Sequence, residues 1–200
     1  MTGKTYETGI KGELFGGAVN TSIALYYTKR EDQSVQDANY PATQVLFGGN
    51  CCYLNGGETI SKGIDMEISG ELLRDWMLMA SYTLNLNKNR DTGSALSTVT
   101  PKHVAKLFTT YRLKRLTLGA GVRWQSSTQS AWIPMDYQQR KQDWVMKQDA
   151  YYLVDLMARY QIDQRFALQL NVNNVFNKKY YTGQFRGMER EVMLNMNLYW

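Results

Sequence analysis

Along most of the chain apolar residues recur at every second position, which is the period of a strand and not of a helix. The clearest run sets Leu116, Leu118, Ala120, Val122 and Trp124 on one face against Thr117, Gly119, Gly121, Arg123 and Gln125 on the other. Trp76, Leu78, Ala80, Tyr82, Leu84 and Leu86 repeat it, as do Tyr152, Val154, Leu156, Ala158 and Tyr160, and finally Val192, Leu194, Met196, Leu198 and Trp200. Further faces are Val19, Thr21, Ile23, Leu25 and Tyr27; Ile64, Met66 and Ile68; Ala105, Leu107, Thr109, Tyr111 and Leu113; and Phe166, Leu168, Leu170 and Val172. With a weaker first strand over residues 6–14, the pattern predicts about nine antiparallel strands of roughly ten residues.

None of these apolar faces carries a charge. The opposite faces hold Lys11, Glu13, Asp65, Glu67, Lys106, Arg112, Arg123, Asp155, Arg159 and Glu191. A cation facing lipid at the bilayer centre costs about 2–4 kcal/mol, so only the uncharged face can look outward in a membrane. The same alternation would also serve a soluble antiparallel barrel or sandwich with its apolar face turned inward.

The connections separate the two. Gly16-Gly17, Leu73-Arg74-Asp75, Lys114-Arg115 and Asp163-Gln164-Arg165 read as tight turns, whereas residues 31–61, 88–100 and 127–148 read as long polar loops. Short turns on one side and long loops on the other fit an outer-membrane barrel. With the short turns periplasmic, Trp76, Tyr111, Tyr160, Phe166 and Trp200 fall at the lower rim and Tyr27, Trp124 and Tyr152 at the upper, as two aromatic girdles. From Tyr152 to Tyr160, a tilt of about 40° gives roughly 21 Å of height against an apolar band of about 25 Å.

Composition narrows the classes. The 200 residues are 44% hydrophobic, yet no apolar run approaches the roughly 18 residues of a transmembrane helix. Met1-Thr2-Gly3-Lys4-Thr5-Tyr6 lacks the basic-then-apolar pattern of a secretion leader. The net charge of +5 is spread along the chain, which argues against nucleic acid as a partner. Fourteen tyrosines and five tryptophans suit a boundary between hydrocarbon and water.

Candidate chemistry is sparse. The single histidine, His103, starts a strand beside Pro101 as a solvated strand-end residue, with no spaced partner for a metal and no nucleophile elbow in the chain. No catalytic residue, metal site or cofactor is assigned. Cys51 and Cys52, adjacent in the longest loop, can form a vicinal disulfide, pair elsewhere or stay reduced; export favours oxidation. Our hypothesis is the vicinal disulfide, and two labelled thiols on protein taken from the cell surface would remove it. In the third long loop Trp132, Tyr137, Arg140 and Trp144, with Tyr151 beyond them, suit an anionic, partly aromatic ligand. The alternative is an upper girdle with cations turned toward lipopolysaccharide.

Leu168-Gln169-Leu170-Asn171-Val172-Asn173-Asn174-Val175-Phe176-Asn177-Lys178-Lys179-Tyr180-Tyr181 resembles the penultimate-strand motif of TonB-dependent outer-membrane receptors, with Asn173, Asn174, Phe176 and Tyr180 as signature positions. Residues 76–82, the strand from Pro101-Lys102-His103 to Leu113, Tyr152-Leu153-Val154-Asp155-Leu156 and the terminal Trp200 extend the resemblance over nearly the whole chain. Within the family it is similar to ferric-siderophore receptors of the coprogen, ferrioxamine and pyoverdine type. One departure is Gly187-Met188-Glu189-Arg190, where the family often has Gly-x-Pro-Arg; the connection around Gln184-Phe185-Arg186 also looks short.

The resemblance implies an all-β, antiparallel transmembrane β-barrel in which residues 1–200 form a C-terminal part, about nine of about 22 strands. The plug domain and N-terminal strands are expected to lie outside it. It implies a ferric siderophore as the ligand and TonB as the partner of the intact receptor. Outer-membrane lipid surrounds the wall, the barrel-assembly machinery acts through the C-terminal strand, and the location is the Gram-negative outer membrane. No covalent chemistry is implied. The chain alone is expected to be a truncated product without transport activity. The readings from other classes are a small structural or porin-like barrel and a soluble β-barrel that binds a ligand.

Overall fold

The computed structural model describes residues 1–36, 53–89, 100–132, 144–183 and 185–198. The strands in chain order are β1 (Thr2–Leu14), β2 (Val19–Gln36), β3 (Tyr53–Leu73), β4 (Trp76–Asn89), β5 (His103–Leu113), β6 (Leu116–Gln125), β7 (Thr128–Trp132), β8 (Trp144–Gln148), β9 (Tyr151–Gln161), β10 (Phe166–Asn173), β11 (Tyr181–Thr182), β12 (Phe185–Arg186) and β13 (Glu191–Leu198). Nine of them form one sheet in the order β1-β2-β3-β4-β5-β6-β9-β10-β13, and β7–β8 and β11–β12 are separate two-stranded ribbons. Every pairing is antiparallel.

The tight turns form where the chain tolerates a left-handed backbone. Gly16 and Gly17 take φ of 67° and 92° without a Cβ to clash. Asp75 (φ 66°) closes the β3–β4 turn, its N–H donating to Glu71 Oε1 at 2.7 Å and its C=O accepting from Arg112 N at 2.9 Å. Lys114 (φ 55°) does the same work between β5 and β6.

One register row crosses the whole sheet: Leu14, Val19, Gly70, Leu78, Thr109, Ala120, Leu156, Val172 and Val192. It starts at the β1–β2 turn but meets β10 six residues beyond Phe166, the turn end of that strand. Six residues of stagger over the six steps from β2 to β10 amount to about 20 Å along the strands and about 29 Å across them, an inclination of about 35°. That is the tilt a closed barrel needs, and it is encoded in the register.

The apolar faces of all nine strands lie on one side of this sheet, and among the described residues no second layer packs on them. Leu118 is 43%, Leu156 45% and Leu194 70% exposed, while the buried apolar residues among those described are Val19, Tyr151, Leu153 and Ala167. A soluble sandwich would bury that face against a second layer; here it is the outer surface. Tyr27, Trp124 and Tyr152 sit eight residues beyond Val19, Leu116 and Tyr160 and are all exposed, as are Trp76, Tyr111 and Tyr160 at the turn end. Two aromatic rims result, with Trp200 outside the described residues. Trp76 Nε1 donates to Thr109 Oγ1 at 2.7 Å, so the ring's polar end is satisfied by the neighbouring strand.

All three predicted long loops are partly strand. Residues 31–61 were expected as a polar excursion, but the β2–β3 ladder continues to Gln36 paired with Tyr53, interrupted by a bulge between Arg30 and Gln33. Backbone pairing outside the apolar band needs no apolar alternation, which is why hydropathy missed it. Likewise residues 127–148 contain β7 and β8, and β4 runs to Asn89.

An outward Leu118→Arg substitution should cost the folded barrel about 2–4 kcal/mol, while Thr117→Arg on the other face should cost under about 1 kcal/mol. Denaturant unfolding of the membrane-inserted barrel measures both, and equal losses would contradict the assignment of faces.

Candidate functional site

The side chains most densely tied together lie where β9 and β10 meet the long connections. Leaving β10, Asn173 and Asn174 turn the chain out of the sheet, Asn174 with φ 50° and Asn177 with φ 51°. Asparagine tolerates this conformation and its amide bonds locally. Asn174, only 3% exposed, uses almost its full capacity: its backbone N–H donates to Asp155 Oδ1 at 2.9 Å, Nδ2 donates to Lys178 O at 2.9 Å and Met188 O at 3.0 Å, and Oδ1 accepts from Lys178 N at 2.8 Å. Asn177 Oδ1 accepts from Arg190 N at 2.9 Å, and Asn173 Nδ2 donates to Glu191 Oε2 at 3.3 Å. These bonds staple the start of the β10–β13 connection to its end.

The same node reaches the inner face. Asp155 also pairs with Arg123 at 3.1 Å, so one carboxylate holds both the wall of β6 and the turn at Asn174. Lys106 stands directly opposite Arg123, which gives this part of the inner face a cationic character. Sequence reading found Asp155 and Arg123 as wet-face charges but not their partnership, because the contact joins β6, β9 and the end of β10.

Tyr151 is 6% exposed, its ring packed against Tyr180 with centroids 4.7 Å apart. Gln148 Oε1 accepts from Tyr181 N at 2.8 Å, and Gly187 N donates to Tyr180 O at 2.8 Å. A Cβ at Gly187 would overlap the Tyr180 ring, which accounts for the glycine. The β10–β13 connection is thereby fastened to the base of the β7–β8 ribbon. In that ribbon Trp132 pairs with Trp144, while Tyr137 and Arg140, like Cys51 and Cys52, lie outside the described residues.

On the outward side, Phe176 meets Tyr152 edge-on at 6.5 Å. His103 is part of this upper rim and not merely solvated: its Nδ1 lies 2.8 Å from Tyr82 Oη, and its ring is 6.5 Å from Trp124. The four signature positions that are described, Asn173, Asn174, Phe176 and Tyr180, thus serve as loop staple, rim contact and stack.

The arrangement matches known proteins. The family profile described as "TonB dependent receptor-like, beta-barrel" matches residues 1–175. This chain belongs to that family. The ferripyoverdine receptor of Pseudomonas aeruginosa is 40% identical over 185 residues, covering 90% of this chain and 22% of the relative. The ferric-pyoverdine 358 receptor of Pseudomonas putida is 37% identical over 187 residues, covering 90% and 21%. The crystal structure of the P. aeruginosa outer-membrane receptor bound to ferripyoverdine superposes with a TM-score of 0.84 at 35% identity, over 98% of this chain and 27% of that one. The chain therefore spans about a fifth of the length of the curated relatives it matches. It is receptor barrel wall, the fold that alternation and rims predict.

Asn174→Ala should destabilise this wall by about 2–4 kcal/mol, since it strands the Lys178 and Met188 backbone groups. Disrupting the half-exposed Arg123 pair with Arg123→Gln should cost under about 1 kcal/mol. Urea unfolding, with proteolysis of residues 175–190 as a local readout, checks the order.

Proposed function

We propose that this chain is the C-terminal part of the barrel wall of a TonB-dependent receptor that imports a ferric siderophore across the Gram-negative outer membrane. The observation that carries the reading is 40% identity to a ferripyoverdine receptor over 185 residues, joined to an apolar band left exposed across the outward face of the sheet. In this reading lipid wets the outward face, and a plug supplied from outside these residues meets charges such as Asp65, Glu67, Arg112, Arg123 and Arg159. TonB drives release through the plug, and the wall performs no covalent chemistry. The barrel-assembly machinery engages the C-terminal strand, β13 in this reading.

The ligand surface in this proposal is the loop end of the β7–β8 ribbon. Trp132, Tyr137, Arg140 and Trp144 supply stacking and charge to an anionic, partly aromatic iron chelate. The direct pairing of Trp132 with Trp144 supports it, because it brings two indole-bearing residues to one level of the ribbon. Tyr151 is the member whose ring is covered, by Tyr180, so its part is at the base of that surface. In the same reading a Cys51–Cys52 disulfide stiffens the loop that carries it.

Among the described residues β1 pairs only with β2 and β13 only with β10, and such edges cannot stay unpaired in hydrocarbon. Further strands must close the wall. Grafted in place of the matching segment of the P. aeruginosa ferripyoverdine receptor, residues 1–200 should assemble as a heat-modifiable surface barrel and restore iron uptake to a receptor-null strain. Residues 1–200 expressed alone should restore none. A graft that fails to reach the outer membrane would refute the proposal, as would uptake by the chain alone.

A further inference from the structure

The inner face of the sheet divides its charges by sector. On β1–β3 the inward positions carry five carboxylates, Glu7, Glu13, Asp65, Glu67 and Glu71, against the cations Lys11 and Arg30. On β5, β6 and β9 they carry four cations, Lys106, Arg112, Arg123 and Arg159, against Asp155. Between the two sectors β4 presents Met77, Met79, Ser81, Thr83, Asn85 and Asn87, with no charge. One part of the wall therefore attracts anions and the other repels them.

The four cations form two pairs at different heights. Lys106 stands directly opposite Arg123, which puts their Cβ atoms about 5 Å apart. Arg112 and Arg159 flank Thr117 in one row, six residues nearer the turns than Arg123 and so about 20 Å further down β6. Between the pairs the wall is low. A Cβ at Gly121 would lie 3.2 Å from Phe108 Cδ2, and one at Gly119 3.0 Å from Met157 Cε, so the ring and the thioether lie across the two glycines. The result is an apolar strip with a cationic pair at each end. Its upper end joins the β7–β8 ribbon, since two residues link β6 to β7 and two link β8 to β9. Its lower end reaches the β5–β6 turn, where Lys114 and Arg115 add positive charge.

We propose that this strip is the lane along which an anionic, partly aromatic iron chelate descends from the ribbon to the periplasmic side, passed from Lys106 and Arg123 to Arg112 and Arg159. The inference rests on the import function proposed above. A chelate leaving the ribbon meets the upper pair first, because that pair lies on the strands from which the ribbon rises. Separate weak sites let a charged cargo leave as well as enter, which one strong site would not. Along the strip Phe108 offers an aromatic face and Met157 an adaptable, polarizable one. The lower arginines supply planar donors for carboxylates and stack on rings. At rest the same side chains face the plug.

The test uses the receptor graft in the receptor-null strain, with ferripyoverdine as the probe. Heat-modifiability and binding to energy-depleted cells are read first, then the initial rate of iron uptake. Arg112→Gln with Arg159→Gln should slow uptake about tenfold while the binding constant moves less than about twofold. Arg112→Lys with Arg159→Lys should keep the parent rate, and so should Glu7→Gln with Glu13→Gln in the acidic sector. Lys106 is exposed and makes no ion pair among the described residues, so Lys106→Gln carries the test should the paired variant not assemble. It should slow uptake about threefold. Undiminished uptake by either assembled variant, with normal binding, removes this inference alone. So does slowed uptake accompanied by vancomycin sensitivity, which marks cations that only seat the plug. A parent graft that neither assembles nor binds ferripyoverdine removes the import function and the lane together.

Discussion

Backbone hydrogen bonding in a medium without water constrains everything else in this structure. Each strand satisfies its N–H and C=O groups through its neighbours, and the ladder runs without a break from Leu14 to Val192. Because that ladder leaves no polar backbone facing outward, the side chains across the middle of that face can do without charge, and they do. The open edges at β1 and β13 are the same constraint seen from its unsatisfied side. Stability of this wall belongs to a closed assembly, not to a hydrophobic core, since few apolar side chains are buried within it.

The two faces divide the labour. Outward side chains meet solvent hydrocarbon and tolerate exchange among apolar residues, whereas inward and loop-end side chains carry specific polar contacts. Asp155 shows the difference, holding Arg123 and the Asn174 turn with one carboxylate. Tyr26 is another case: it donates to Asn85 Oδ1 at 3.0 Å across Gly63, where a Cβ would collide with its ring. Such contacts hold the loop ends in place over a scaffold whose rigidity comes from the ladder.

Length, period and face were legible because alternation is local: whether Leu118 and Leu156 share a side needs only parity and the chain reversal between them. The aromatic rims were legible for a related reason, since the height of Tyr152 above Tyr160 follows from residue count and tilt. The strand extensions to Gln36 and from Tyr53 were not, because beyond the apolar band the pairing is maintained by backbone alone and leaves no hydropathy signal. His103 read as an isolated strand-end residue until Tyr82 on the adjacent strand supplied its partner.

By itself, then, the order of residues determined that this is an antiparallel wall with an uncharged band on one side, short turns at one end and ring-bearing side chains at both limits. Tertiary structure decided what depends on register: the stagger that inclines the strands, the meeting of Asp155 with Asn174, the stacking of Tyr151 under Tyr180, and the pairing of Lys106 with Arg123 and of Arg112 with Arg159 from three strands along one strip. The physical reason is that a period of two specifies a face but not an offset. Sliding any strand by two residues would keep every apolar side chain outward and change all its neighbours.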